Sequence, residues 1–132
     1  MFVDASAIVA IITGEPDGRR MAELLEAAPP AITSPLAIFE AVLAVGRILR
    51  ISVEIATARV DDFLAITGTR SIAIAPDVAL LALDAFARYG KGQGHPAQLN
   101  MGDCFAYAVA RHNRTSLLYK GDDFAKTDIR SA

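Results

Sequence analysis

Short apolar segments alternate with longer segments of helical periodicity along the chain, and this alternation limits the possible folds. Strands are predicted at about residues 2–4, 31–33, 71–75 and 116–119, each separated from the next by one or two helices. Strands joined through helices pair in parallel, and a parallel sheet is normally buried by helices on both faces. We therefore expect an α/β fold, with a parallel sheet of four to five short strands flanked by helices on both faces. The segment from Asp128 onward is a tail or an edge strand.

Capping and breaking residues indicate where the helices begin and end. The predicted helices cover about residues 5–12, 17–26, 34–50, 52–67, 76–89 and 102–112, with a short helical turn at 122–126. Ser34 followed by Pro35 is typical of a helix start, and Pro29 with Pro30 is expected to stop the second helix. Residues 90–100 are rich in glycine and form the one clear flexible loop, which borders a candidate site.

The whole chain favours one domain over residues 1–132, in the cytoplasm. Of the 132 residues, 53% are hydrophobic, but no run approaches the roughly 18 uninterrupted apolar residues of a membrane span. Met1 leads directly into a strand, so secretion is not expected. The single cysteine, Cys104, lies in an apolar helix and is interpreted as a buried small hydrophobe, which fits a reducing compartment.

Four acidic residues, Asp4, Glu40, Asp103 and Asp122, each lie beside or inside an apolar run. An ionised carboxylate next to a core costs several kcal/mol unless a partner compensates it. Two of the acids end or follow strands, and ligands of parallel sheets gather at the carboxyl ends of strands. The pattern therefore predicts a shared site for Mg²⁺ or Mn²⁺, which prefer oxygen ligands. The net charge is −2, and setting these four acids aside leaves +2, so a phosphodiester could still bind locally.

Glu40 is the hardest of the four to explain by structure alone. Its helical neighbours three and four residues away are all apolar, namely Leu36, Ala37, Leu43 and Ala44. A solvated glutamate normally lies on a polar stripe. The structural alternative is a glutamate at the edge of a wide apolar face that extends to water, and we favour the functional interpretation.

Each of the other three acids has an ordinary structural explanation when taken singly. Asp4 could cap the helix that follows it, and Asp103 could be a helix-start residue after an Asn100 cap. Asp122 and Asp123 follow a glycine in a turn, where aspartate is common. The functional hypothesis therefore depends on the set of four.

Five sequence blocks, VDASA, FE, YGKG, LNMGDCFAYAVA and LLYKGDDFAKTDI, carry a resemblance over nearly the whole chain. The chain resembles PIN-domain ribonucleases, specifically the VapC-type toxins of type II toxin–antitoxin systems. In that family, the acids that match Asp4, Glu40, Asp103 and Asp122 form a Mg²⁺ or Mn²⁺ site, and the family varies at the fourth, where Asp123 is adjacent. Ser6 matches a small polar residue that supports the first acid. Thr127 and Asp128 match a closing motif.

The resemblance implies a metal-dependent endoribonuclease that cleaves single-stranded or loop RNA with a metal-activated water. Asp4 and Asp103 would be direct metal ligands, Glu40 would orient the water or bind the metal through it, and Asp122 would complete the site. The resemblance also implies a VapB-type antitoxin, a homodimer, and a toxin–antitoxin hetero-oligomer with no membrane association. Ser6, Arg111 and Lys120 are candidates for contact with the substrate. Arg111, His112, Arg114 and Lys120 cluster in sequence near the site and are candidates for contact with the RNA backbone, with a solvated helix end as the simpler interpretation.

Three other functions fit part of the pattern. His95 and His112 could form a metal-free acid–base pair for RNA cleavage. A phosphoacceptor signalling domain also places acids at strand ends and a lysine late in the chain, as Lys120 is, but the first strand offers Asp4 alone. A binding module without catalysis is the third alternative, and the intact acids make it less attractive.

Overall fold

A four-stranded parallel sheet forms the centre of the protein in the computed structural model, which describes residues 1–28 and 30–132. The strands are β1 (Phe2–Val3), β2 (Ile32–Thr33), β3 (Arg70–Ser71) and β4 (Leu117–Leu118). Their order across the sheet is β3-β2-β1-β4, with Phe2 opposite both Ile32 and Leu117. The predicted parallel sheet is therefore confirmed, and β1 lies in its interior.

Within the described residues, six helices connect the strands and cover both faces of the sheet, as predicted. They are α1 (Ala5–Thr13), α2 (Gly18–Ala27), α3 (Pro35–Leu49), α4 (Val53–Thr67), α5 (Val78–Tyr89) and α6 (Met101–His112), and a 3₁₀ turn follows at Phe124–Lys126. Successive strand residues point to opposite faces. Phe2 and Leu117 pack in the core on the α5–α6 side, whereas Val3 and Leu118 pack in the core formed with α1, α2 and α4.

The third strand and the C-terminal tail are shorter than expected. The strand predicted at residues 71–75 is instead Arg70–Ser71, because its neighbour β2 ends at Thr33 where the next residue caps α3. Ile72 still donates a hydrogen bond to the Thr33 carbonyl at 3.0 Å before the ladder ends. The tail adds a single parallel bridge between Leu117 and Ser131. Pro29, one half of the predicted stop for the second helix, lies outside the described residues.

Polar side chains cap the starts of α1, α3 and α6, near the edge of the sheet where the parallel strands end. The Asp4 side chain caps α1, and the Ser34 hydroxyl accepts a hydrogen bond from the Ala37 amide at the start of α3. Asn100 caps α6. Glu40 lies in the second turn of α3 and Asp103 in the first turn of α6, so both helices carry an acid near this edge. In the described part of the chain, no helix is long and apolar enough to cross a membrane.

Candidate functional site

Three carboxylates, those of Asp4, Glu40 and Asp103, lie close enough at the carboxyl edge of the sheet to affect one another. Burial, followed by the charges of Asp4 and Asp103, raises the pKa of Glu40 to about 7. Burial also raises the pKa of Asp103 to about 6, and the charges of Asp4 and Asp123 add to it, although a hydrogen bond from the Asn100 backbone opposes the rise. The start of α1, directly after β1, together with α3 and α6, thus brings carboxylates to one place.

Asp4 is the innermost of the three, with only 4% of its surface exposed. Its Oδ2 accepts hydrogen bonds from the Ser6 amide at 2.9 Å and from the Ser6 hydroxyl. Burial raises the pKa of Asp4, while these hydrogen bonds from Ser6 favour the ionised form. The Ser6 Oγ in turn accepts a hydrogen bond from the Lys120 amide at 3.0 Å. Ser6 therefore connects the first acid to the loop after β4.

Glu40 packs directly against Gly102, which lies in the first turn of α6. A Cβ atom placed on Gly102 would lie 2.0 Å from Glu40 Oε1 and 2.6 Å from its Cδ. A side chain at this position would make the Glu40 carboxylate shift, which the flexible end of a glutamate can do at little cost, so glycine sets where the carboxylate lies. The group that occupies the space beside Gly102 is the Glu40 carboxylate.

Asp103 has the structural role that its position suggested, in addition to its place among the acids. It forms a reciprocal capping box with Asn100, in which each side chain accepts a hydrogen bond from the other residue's amide at 2.9 Å. The Asp103 oxygen used is Oδ2, and within the described residues Oδ1 has no hydrogen-bond donor. The cap holds the side chain in place and leaves one oxygen available for a ligand.

The fourth acid, Asp122 or the adjacent Asp123, stays a prediction. After burial and the charge of Asp4, the charge of Asp123 raises the pKa of Asp103, and Asp122 is not among the causes. Asp122 lines a different pocket of about 370 Å³, together with Asp17 and Arg20 of the α2 region. Asp123 therefore lies on the side of the three carboxylates, and it also approaches Lys126 Nζ at 3.6 Å.

The three carboxylates form an open, oxygen-only donor set. Across residues 1–28 and 30–132, no lysine, arginine or histidine forms an ion pair with Asp4, Glu40 or Asp103. In this described part, no group of three or more His, Cys, Asp or Glu side chains is placed closely enough to hold a metal ion as it stands, so the carboxylates would have to draw together around one. Carboxylates that repel one another at a half-buried edge, without an organic cation, are chemically suited to Mg²⁺ or Mn²⁺.

The candidate RNA-binding side chains have other partners. Lys120 Nζ forms an ion pair with Glu15, so only the Lys120 backbone contacts the acidic edge. Arg111 lies eight residues after Asp103 in α6, about 12 Å further along the helix axis. Its guanidinium approaches Asp128 at 3.6 Å. Arg111 therefore lies at the end of α6 away from the acids.

The two histidines are not brought together. His95 stacks edge-on against Tyr89 at the end of α5, whereas His112 lies 3.3 Å from Asp77, just before the start of α5. The 12 residues of α5 span about 18 Å. This separation is too large for an acid–base pair on one ribose.

Comparison with known proteins gives a consistent result. A profile of the PIN domain family matches residues 1–130. A VapC ribonuclease of Rhizobium meliloti is 43% identical over 139 aligned residues, which cover 97% of this chain and 98% of the relative.

Two solved structures show the same fold. The crystal structure of Mycobacterium tuberculosis VapC20, described as a sarcin-ricin loop cleaving toxin, has a TM-score of 0.74 at 18% identity and covers 99% of this chain and 97% of that one. A toxin–antitoxin complex from Klebsiella pneumoniae has a TM-score of 0.66 at 20% identity, with 94% and 89% covered. By family profile and by full-length identity, the chain belongs to the PIN domain family and, within it, to the VapC-type ribonucleases.

Proposed function

We propose that the protein is a metal-dependent endoribonuclease that acts as the toxin of a VapBC toxin–antitoxin pair and hydrolyses RNA phosphodiester bonds. The observation that carries the proposal is the meeting of Asp4, Glu40 and Asp103 at one edge of the sheet without a cationic side chain as partner. Family membership supports the ribonuclease assignment.

Asp4, Glu40 and Asp103 would hold Mg²⁺ or Mn²⁺, with a fourth carboxylate from the turn after β4. We expected Asp122 in this role, and we now propose Asp123 as the stronger candidate, because its charge acts on Asp103. A bound divalent ion supplies a water of lowered pKa and neutralises charge on the phosphate. All donors are oxygens from different elements, which suits an ion that keeps open positions for substrate.

The side chains around the ion have distinct tasks in this proposal. Ser6 holds the buried Asp4 carboxylate in one orientation, and the Lys120 amide holds Ser6. Glu40 would orient the attacking water or bind the metal through a water. Asp103 is fixed by its capping box, so its free oxygen keeps a constant position.

The sheet order argues against a phosphoacceptor domain. Flavodoxin-like signalling domains use the order 2-1-3-4-5, whereas this sheet runs β3-β2-β1-β4. The lysine that such a domain would place beside the acids is paired with Glu15 instead.

We further propose that a VapB-type antitoxin and a second copy of the chain cover exposed apolar surface. Phe39, Val53, Ile55 and Ile66 on α3 and α4 are each more than half exposed, as are Leu80 and Leu83 on α5. Such patches on a small protein are typical of interfaces. The assembly would be a toxin–antitoxin hetero-oligomer built on a homodimer. We also place the single 132-residue domain in the cytoplasm, in keeping with the buried thiol of Cys104.

Cleavage of total RNA by the purified protein, in EDTA and in Mn²⁺, tests the proposed function. The parent is expected to cleave only with metal, and Asp123→Asn is expected to lose more activity than Asp122→Asn. The Asp122 variant is the matched control, because it removes the same charge one residue away. Cleavage that persists undiminished in EDTA would refute the metal mechanism, and a greater loss from Asp122→Asn would return the fourth position to that residue.

A further inference from the structure

Three arginines line one pocket at the end of α6 away from the acids. We call this surface the basic end and define it as Arg111, Arg114 and Arg130, which border a pocket of about 400 Å³. Arg130 is held there by the sheet, because the Leu117 amide donates a hydrogen bond to its carbonyl at 2.9 Å. Burial and, after it, the charge of Arg130 lower the pKa of the Met1 amino group, so a fourth basic group lies nearby.

The one acid in this pocket is already engaged. Asp128 accepts a hydrogen bond from the Tyr107 hydroxyl and pairs with Arg88 at 2.9 Å, in addition to its contact with Arg111 at 3.6 Å. Within the described residues, no hydrogen bond or ion pair involves the side chain of Arg114 or Arg130. Two guanidinium groups of the basic end are therefore available to an outside anion.

Arg114 also occupies a backbone conformation that favours glycine. Its φ is 53°, in the left-handed region at the end of α6. A non-glycine residue there costs on the order of 1 kcal/mol. Among the described residues, no hydrogen bond or ion pair of the Arg114 side chain offsets this cost.

We propose that the basic end binds the phosphate backbone of RNA at nucleotides away from the bond that is cut. The inference rests on the proposed function. The whole chain carries a net charge of −2, so a long polyanionic substrate gains affinity from a separate positive surface beyond the metal-loaded edge. About 12 Å of α6 separates Asp103 from Arg111, a distance that an RNA of several nucleotides can cover. Lys126, exposed beside Asp123, lies between the two regions in sequence. Guanidinium groups bind phosphates through two parallel hydrogen bonds.

Binding of a fluorescein-labelled single-stranded RNA to the full chain, carrying Asp4→Asn to prevent cleavage, tests the proposal. The pair Arg114→Gln and Arg130→Gln is compared with Arg47→Gln and Arg59→Gln, an equal charge change at exposed sites on α3 and α4. A plot of the logarithm of the association constant against the logarithm of the salt concentration has a negative slope. Each lost phosphate contact makes this slope shallower by about 0.7, which corresponds to a loss of about 5-fold in affinity at roughly 0.1 M salt. The basic-end pair should therefore weaken binding by up to about 25-fold, and the control pair by less than about twofold.

Equal losses from the two pairs, or no loss from the basic-end pair, would overturn the inference. Circular dichroism checks folding. If the glutamine pair does not fold, the single Arg130→Gln variant carries the test with an expected slope change of about 0.7. The charge-preserving double variant Arg114→Lys, Arg130→Lys should keep the salt dependence of RNA binding that the parent shows. A salt dependence as weak as that of the glutamine double variant would also count against phosphate contacts.

Metal-dependent RNA cleavage by the parent separates the two hypotheses. If the parent cleaves RNA and the double variant Arg114→Gln, Arg130→Gln binds RNA as tightly as the parent, only the RNA contact at the basic end is refuted. A parent that neither binds nor cleaves RNA refutes both. Unchanged RNA binding with weakened binding of a co-purified antitoxin would assign the surface to a protein partner and overturn the RNA assignment.

Discussion

Replacing Glu40 with glutamine should stabilise the metal-free protein at alkaline pH. The folded structure raises the pKa of Glu40 from 4.5 to about 7. Between these values the folded state holds a proton that the unfolded chain has released, so the free energy of unfolding falls as pH rises through this window. A pKa difference of this size corresponds to about 3 kcal/mol. Screening by the solvent that reaches this half-buried side chain reduces the effect to about 1.5 kcal/mol.

Urea denaturation in EDTA at pH 4.5 and pH 8 measures this effect. At pH 8, Glu40→Gln should unfold with a free energy about 1.5 kcal/mol above the parent, or a melting temperature about 5 °C higher. At pH 4.5 the parent carboxyl is protonated in the folded state and about half protonated in the unfolded state, so the difference should be small. Glu26→Gln, an exposed glutamate on α2, is the matched control and should change stability at neither pH. A variant that is less stable than the parent at pH 8, or equally shifted at both pH values, would refute the reasoning.

Three further outcomes follow from the acidic edge. Asp103→Asn removes one of the repelling charges, so its melting temperature in EDTA should equal or exceed the parent's. Mn²⁺ should stabilise the parent by about 2.7 kcal/mol at 100 times the dissociation constant, and the variant should lose this stabilisation. A variant that Mn²⁺ still stabilises would contradict a shared site. Gly102→Ala should fold, by circular dichroism, but lose RNA cleavage because the new Cβ displaces Glu40. Gly46→Ala, where a Cβ meets its nearest atom at 3.4 Å, should remain active. Induced expression of the parent alone should arrest growth in a plating assay and Asp4→Asn should relieve the arrest; equal arrest by both would remove the catalytic role of Asp4.

The fold could be predicted because its determinants are local. Ser34 and Pro35 begin α3 where the sequence indicates, and Gly68 ends α4 in a left-handed conformation. The third strand was placed wrongly because its length depends on its neighbour. β2 ends at Thr33, so the apolar residues after Ser71 have no ladder partner and pack into the core instead. Strand propensity cannot show where the adjacent strand stops.

The site illustrates the same division between local and long-range information. Asp4 and Asp103 stand out at helix starts, and both indeed cap helices, so a structural role and a place in the acidic set coexist in each. The choice between Asp122 and Asp123 depends on the turn at Gly121, where φ is 98°. A left-handed residue there breaks the periodicity that would assign the next two side chains to a face.

The contact between Glu40 and Gly102 is the part of the site that no single segment encodes. Sixty-two residues separate the two positions, and each looks unfavourable alone, since Glu40 is an acid on an apolar face and Gly102 is a glycine in a first helical turn. Together they are complementary, because the missing Cβ provides the space that the carboxylate fills. This contact brings α3 and α6 together close to Asp103. The glycine therefore affects the geometry of the acids while bearing no charge itself, and a search limited to ionisable residues would miss it.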